Sequence, residues 1–319
     1  MIIKFNYNMK NISFYKIEVE PDKEKRIDQL ISNQLPEYSR SRIKNWIKNE
    51  NITLNGKKCS PKDKISVKSI VEIKISETEE LDIKPQNIDI NIIHKDDDLL
   101  IVDKRPNMVT HIAPGHYMGT LQNALLFHYP DLKNVPRAGI IHRLDKGTSG
   151  LIIIARNLIS HNALIDQMRN KLITKKYIAL VTGEIIKNQT INKKIGRNRI
   201  NRLKMSISPS GKDSITKVKV LEKLYKSSFL DIELITGRTH QIRVHLSHIG
   251  HPIIGDKLYG FKCNIFNHNK NLLNFLNTYD AHALHAKNLS FNHPKTKKKL
   301  IINSETPETF VTIKALLSE

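Results

Sequence analysis

The sequence predicts an α+β protein in two parts, a small module near the N-terminus and a larger domain in which strands dominate and helices intervene. Two observations carry this. Apolar residues recur at helical spacing before residue 50 and alternate with a period of two after it, and strand-like runs then interleave with capped helical segments to the C-terminus. Neither GxGxxG nor GxxxxGK[ST] occurs, which disfavours a doubly wound nucleotide-binding sheet. No internal repeat is evident.

Residues 1–23 read as an N-terminal extension. From Glu24 to Leu35, apolar Ile27, Leu30, Ile31 and Leu35 predict a first short helix that Pro36 stops. Ser39 is placed to cap a second helix over Arg40–Lys48, with Ile43, Trp46 and Ile47 on an apolar stripe and Arg40, Lys44 and Lys48 on a basic one beside it. Asn55-Gly56 marks a hairpin, and Val67 to Ile75 alternates as a strand. Acidic Glu77 to Glu80 and Pro85 mark a linker over 77–90, so the module spans 24–76 and the larger domain 91–319.

In the larger domain, Asn91–His94 and Leu99–Asp103 read as strands and Thr120 as the cap of a helix carrying Leu121, Ala124, Leu125 and Tyr129. Ala138 to Ala155 reads as strand, loop and strand. Asn157 caps a helix with Leu164, Ile165, Met168 and Leu172, and Lys176–Val181 is the strand after it. Phe229–Ile235 is another strand, turned by Gly237 into a helix that bears Arg243.

The 319 residues, 39% hydrophobic, suffice for a sizeable core. The formal charge of +21, from 52 Lys and Arg against 31 Asp and Glu, points to a polyanionic partner. An Ile-, Asn- and Lys-rich composition of AT-rich coding origin yields the same balance. Cys59 and Cys263 stand far apart with no CxxC pair, so neither a disulfide framework nor a thiolate zinc site is expected. The first residues interrupt their apolar run with Lys4, Asn6, Asn8 and Lys10, unlike a signal peptide, and no run of about 18 apolar residues occurs. A soluble cytoplasmic protein without a membrane partner is the expectation.

The chemistry-bearing stretch is His142-Arg143-Leu144-Asp145-Lys146-Gly147-Thr148-Ser149-Gly150-Leu151. It sets a carboxylate on a glycine-containing loop between two cations, a setting suited to a nucleophile or base and equally to a solvated turn. His240, His245, His248 and His251 form a histidine-rich run, but the spacing is not HExxH and no cysteine is near, so no metal is expected. Arg197, Arg199, Arg202 and Lys204, with Asn198 and Asn201 between them, form a basic cluster on a loop or hairpin, either a solvated charge run or a nucleic-acid contact.

The stretch around Asp145 closely resembles the catalytic motif of the RluA/RluD family of pseudouridine synthases. Lys176-Tyr177, Gly237-Arg238-Thr239-His240-Gln241-Ile242-Arg243-Val244-His245, Gly255-Asp256-x-x-Tyr259-Gly260 and His282-Ala283-Leu284-His285-Ala286 resemble its later motifs in the same order. Residues 24–76, through the Ser-Arg-Ser-Arg helix and the Asn-Gly hairpin, resemble the S4 RNA-binding domain. The resemblance covers residues 24 to about 315 and implies a mixed, mainly antiparallel catalytic sheet with flanking helices.

It also implies roles. Asp145 would attack the target nucleoside, Arg243 pair with Asp145 and aim it, Tyr177 stack on the extruded uracil, and Leu284 pack beneath the base. Arg143 would fill the space that the flipped base leaves, while Arg40, Arg42, Lys44, Arg197 and Arg199 would contact RNA. The implied reaction turns uridine into pseudouridine with no cofactor, acting as a monomer on 23S ribosomal RNA or the assembling large subunit, in the helix 69 stem-loop. Attack at uracil C6, attack at the sugar carbon and elimination to a glycal all stay open. Gly147, where an acidic residue is usual, and the variant loop from His111 to His116 depart from the family pattern.

Other readings compete. One is an RluC-type synthase acting on other 23S uridines, and another is a non-catalytic RNA-binding assembly factor. A third, a carboxylate-pair glycosidase, needs Asp231 or Asp256 beside Asp145.

Overall fold

The computed structural model describes residues 2–5, 12–35, 38, 40–76, 83–113 and 115–318, without the side chains of 2–5, 12, 13, 23, 41, 42, 75 and 76. Pro36, Ser39 and Glu77 to Glu80 therefore lie outside the described residues, as does the side chain of Arg42. Two compact units result, Met1–Asp82 and Ile83–Glu319.

The first unit runs β1 (Ile2–Phe5), β2 (Ile12–Val19), β3 (Asp22–Arg26), α1 (Ile27–Gln34), α2 (Arg40–Lys48), β4 (Ile52–Leu54), β5 (Lys57–Lys58), β6 (Lys64–Ile65) and β7 (Ser69–Ser76). Its main sheet has the order β1-β2-β7-β4-β5, and β3 pairs with β6. Asn55 and Gly56, at φ 50° and 73°, make the β4–β5 turn. Ile43, Trp46 and Ile47 of α2 are buried with Ile27 and Ile31 of α1 against Ile52, Val71 and Ile73.

The segment read as an extension belongs to this sheet. Tyr15, Ile17 and Val19 of β2 are buried in the same core, and Ile17 pairs with Val71 of β7. The first helix also starts later than expected, at Ile27, because Asp22–Arg26 is extended.

The second unit contains β8 (Asn91–Lys95), β9 (Leu99–Lys104), α3 (Leu121–His128), β10 (Ser149–Ala155), α4 (Leu158–Arg169), β11 (Thr174–Thr182), β12 (Gln189–Asn192), β13 (Ile195–Arg197) and β14 (Met205–Ile207). It continues through β15 (Ile215–Leu224), β16 (Ser227–Leu234), α5 (Gln241–His248), α6 (Lys270–Thr278), β17 (Leu284–Asn292), β18 (Lys299–Asn303) and α7 (Glu308–Ser318). The large sheet has the order β12-β15-β16-β11-β17-β10-β9-β8, with β18 added to β17. Of its pairings, β10–β17 is parallel and the others antiparallel.

Alternation along β10 feeds two cores. Leu151 and Ile153 pack with Leu164 of α4, while Ile152 and Ile154 join the larger cluster that takes in Leu121 of α3, Leu246 of α5, Leu272 of α6 and Phe310 of α7. Each such side chain contributes about 1.5–3 kcal/mol by burial. Gly150, at φ 111°, lets β10 meet β17 closely, since a Cβ there would stand 2.5 Å from the Ala286 backbone nitrogen.

Two expectations are corrected. The strand foreseen from Ala138 is a turn: Arg137, Ala138 and Gly139 all have positive φ, and only an isolated bridge from Ile140 to Ile154 remains. Residues 83–90, read as linker, pack on the second unit, where Ile83, Ile88 and Ile90 meet its core and the Gln86 amide donates to Asn123 O at 3.0 Å. Their alternating isoleucines need burial, which a solvated linker does not provide.

Candidate active site

The loop before β10 presents Asp145. Its turn is closed by the Thr148 amide donating to Asp145 O at 3.1 Å, and the Thr110 hydroxyl donates to Leu144 O at 2.8 Å. Asp145 keeps 16% of its side chain exposed, at a cavity of about 310 Å³. Arg143, Tyr177, Arg243 and Leu284 line the same cavity, so five residues from four separate segments converge there. Arg143 is exposed, whereas Tyr177 and Leu284 are buried in β11 and β17. A register shift after Lys176 puts Tyr177 opposite Ala286, next to the Leu284 end of β17.

The flanking cations Arg143 and Lys146 are not the partners of Asp145. Its Oδ2 accepts from Nη1 of Arg243, at 3.0 Å. The other edge of that guanidinium is gripped by Asp256, with Nε to Oδ2 at 2.7 Å and Nη2 to Oδ1 at 2.9 Å. Asp256 is fully buried and Arg243 nearly so. Burial works against the charge on Arg243, but the Asp256 hydrogen bonds and the Asp145 charge outweigh it and push its pKa up. The Arg243 guanidinium also lies 4.8 Å from the centre of the Tyr259 ring.

Tyr259 Oη accepts from the Met205 amide at 2.8 Å and meets His240 Nδ1 at 2.7 Å, leaving His240 Nε2 3.8 Å from Asp145 Oδ1. Burial lowers the His240 pKa against the pull of the Asp145 charge. His240 holds a left-handed backbone, φ 55°, a conformation that costs a non-glycine residue energy and collects at functional sites.

Beneath the loop, the buried Lys104 ammonium donates to Arg105 O, Met108 O and Lys146 O at 2.8, 3.0 and 3.3 Å. Burial lowers its pKa to about 7, opposed by the charges of Asp145 and Asp103.

Gly147 has a physical reason here. A Cβ on it would stand 3.0 Å from the His282 imidazole, whose backbone amide donates to Gly147 O at 2.9 Å. The room that a larger side chain would take is occupied by that ring.

Of the glycosidase candidates, Asp256 is spent on Arg243 and does not line the cavity, and Asp231 lies on β16 opposite Ile178. The histidine run disperses: His245 meets Thr216 Oγ1 and Lys193 O, and His251 meets Thr182 O.

Among the RNA-contact candidates, Arg197 ends β13 and Arg199 follows it in the exposed tip of the β13–β14 hairpin. Arg40 and Lys44 on α2 turn their inner sides to Asp28, at 2.8 and 3.5 Å. From sequence, Asp256 was weighed only as a glycosidase carboxylate and His240 only in the histidine run; Tyr259 and Lys104 were not singled out as site residues. The first three sit in quoted motifs, the signal that could have found them for this site; Lys104 had none beyond ending a strand.

A family profile described as RNA pseudouridylate synthase matches residues 98–248, and one described as S4 domain matches residues 25–71. The ribosomal large subunit pseudouridine synthase D of Pseudomonas aeruginosa is 38% identical over 295 residues, 92% of this chain and 92% of that protein. The protein of the same name from Buchnera aphidicola subsp. Schizaphis graminum is 40% identical over 289 residues, 89% of this chain and 91% of its own. Among solved structures, human RNA pseudouridylate synthase domain containing 1 aligns with a TM-score of 0.57 at 28% identity, covering 73% of this chain and 89% of that one. With an S4 domain ahead of a pseudouridylate synthase domain and relatives matched nearly end to end, the chain belongs to the RluA/RluD family of pseudouridine synthases.

Proposed function

We propose that this chain isomerises specific uridines of 23S ribosomal RNA to pseudouridine, in the helix 69 stem-loop, with Asp145 as nucleophile. The observation that carries the assignment is the convergence of Asp145, Arg143, Tyr177, Arg243 and Leu284 on one cavity. Its relatives are named for the large ribosomal subunit, which supports the choice of RNA.

The reaction breaks the bond from uracil N1 to the sugar carbon, turns the base, and rejoins it through C5. One proton leaves C5 and one is gained at N1, so no redox partner or imported group enters the balance. A carboxylate aimed by a buried arginine suits the attack. An aromatic face and a leucine lining one cavity suit a flipped base, as Tyr177 and Leu284 would provide. Arg143 would enter the RNA where the base has left. Arg40, Arg42, Lys44, Arg197 and Arg199 supply positive charge for phosphates. On this reading the chain acts as a monomer, in the cytoplasm where ribosomes assemble.

Site-resolved pseudouridine mapping of ribosomal RNA from cells lacking the protein tests this. Loss of modification in helix 69 is expected; unchanged modification throughout 23S RNA sinks the proposal, and loss elsewhere in 23S RNA moves the target. Asp145→Asn is expected to bind RNA and form no product, because an amide is a far weaker nucleophile.

A further inference from the structure

Lys175 lines the cavity yet has no part in the proposed chemistry. It is 8% exposed, and among the described residues its ammonium makes no hydrogen bond and no ion pair. Burial lowers its pKa, with no carboxylate offsetting that effect. Lysines are almost never this buried without a partner, because a desolvated, unpaired ammonium is costly.

Its position is defined. Lys175 and Tyr177 are two apart on β11 and share the buried face, about 7 Å apart along the strand, while Lys176 between them is exposed. The backbone at Gly237 closes one side of the ammonium: a Cβ there would stand 3.3 Å from Nζ. His142 is near enough to feel the Lys175 charge, and both residues line the cavity. Arg143 and Arg238 on the rim are exposed and solvated, whereas Lys175 is held in. The Lys175 ammonium thus shares the cavity with Tyr177, and no carboxylate among the described residues neutralises it.

We propose that Lys175 is a phosphate subsite, binding a phosphodiester that flanks the uridine whose base lies on Tyr177. The base contact rests on the uridine reading; the phosphate contact is separable from it. A charge-assisted hydrogen bond of this kind changes affinity by about ten- to a hundredfold.

The test is equilibrium binding of uridine, uridine 3′,5′-bisphosphate and adenosine 3′,5′-bisphosphate to the full chain and to its Lys175→Met and Lys175→Arg variants. Lys175→Met is expected to weaken uridine bisphosphate about ten- to a hundredfold, leave uridine unchanged and melt no lower than the parent, since a desolvated charge has been removed. Lys175→Arg should keep most of the bisphosphate affinity. Equal losses for uridine and its bisphosphate overturn the proposal in favour of a contact to the base. So does an unchanged bisphosphate affinity, or no measurable binding of the bisphosphate to the parent. If adenosine bisphosphate binds as well as the uridine compound with the same Lys175 dependence, the phosphate subsite stands and the uridine reading fails.

Discussion

Asp28 in the N-terminal unit and Asp256 in the catalytic unit are both fully buried, and both are neutralised by basic side chains. What differs is the burial of the cations. Around Asp28, the side chains of Arg26, Arg40 and Lys44 keep 33%, 40% and 39% of their surface in solvent. Asp256 holds Arg243, which keeps 5%. The first arrangement pins the inner sides of several cations and leaves their outer sides in solvent. The second fixes both nitrogens of one guanidinium edge and leaves Nη1 to aim Asp145. A buried carboxylate therefore holds cations at the surface when its partners are exposed, and fixes one guanidinium in place when its partner is buried too.

Removing the buried device should have the largest effect. Asp256→Asn leaves Arg243 desolvated with a weaker partner, and a loss of about 3–5 kcal/mol in denaturant unfolding is expected. Single-turnover pseudouridine formation by the folded fraction should fall about a hundredfold, because Arg243 is released to move off Asp145. An unchanged rate would mean that Asp145 is aimed without Asp256.

Asp28→Asn should cost less, about 1–3 kcal/mol, and leave single-turnover rates on a bound stem-loop unchanged. The pH dependence has a definite sign. Burial alone would raise the Asp28 pKa, but the hydrogen bond and charge of Arg40, then the charges of Arg26 and Lys44, hold it below the usual carboxylate range. Its stabilisation is therefore present above the unfolded carboxylate pKa, about 3.9, and is lost as pH falls through the lower folded value. Urea midpoints of parent and Asp28→Asn should converge on acidification; a gap that widens in acid would reverse the assignment.

The smallest effects belong to the exposed charges of the β13–β14 hairpin, where among the described residues no carboxylate pairs with Arg197 and its Nη1 donates to Arg202 O at 2.7 Å. Arg197→Ala and Arg199→Ala should each lower the slope of log affinity against log salt by about one, with turnover of bound RNA intact. Arg40→Ala should lower the slope and also destabilise the N-terminal unit, since this arginine serves Asp28 as well. Identical behaviour of Arg40→Ala and Arg199→Ala in unfolding would erase the distinction drawn between pinned and unpinned cations.

Much of the fold was legible because its signals are local. The α2 limits, the Asn55-Gly56 turn, and the Thr120 and Asn157 caps follow from spacing and short-range hydrogen bonds, and the caps accept from Asn123 and Ser160 amides as such residues do. The period-two run Tyr15, Ile17, Val19 was equally local and went unused, which is why β2 was read as an extension. The segment from Ala138 was misread because its apolar residues suit a strand; what decides against one is the close approach of Gly139, whose Cβ would stand 2.0 Å from Ala155 O. That distance belongs to a turn and a strand brought together by folding and not to either sequence.

The candidate site divides the same way. Asp145, Tyr177, Arg243 and Leu284 were reachable through ordered motifs, and Arg143 with them. That Arg143 and Lys146 leave Asp145 to Arg243, 98 residues along the chain, was not.

By itself the sequence determined the class of fold, the order of its elements, the basic balance and the set of motifs, because periodicity, capping and composition are properties of neighbours along the chain. Only the tertiary structure decided which carboxylate answers which cation, that Asp256 is consumed by Arg243, that His282 fills the space over Gly147, and that Lys175 has no counterion among the described residues. Pairing and desolvation depend on distances across a folded sheet, and these are set by long-range packing that leaves no local mark.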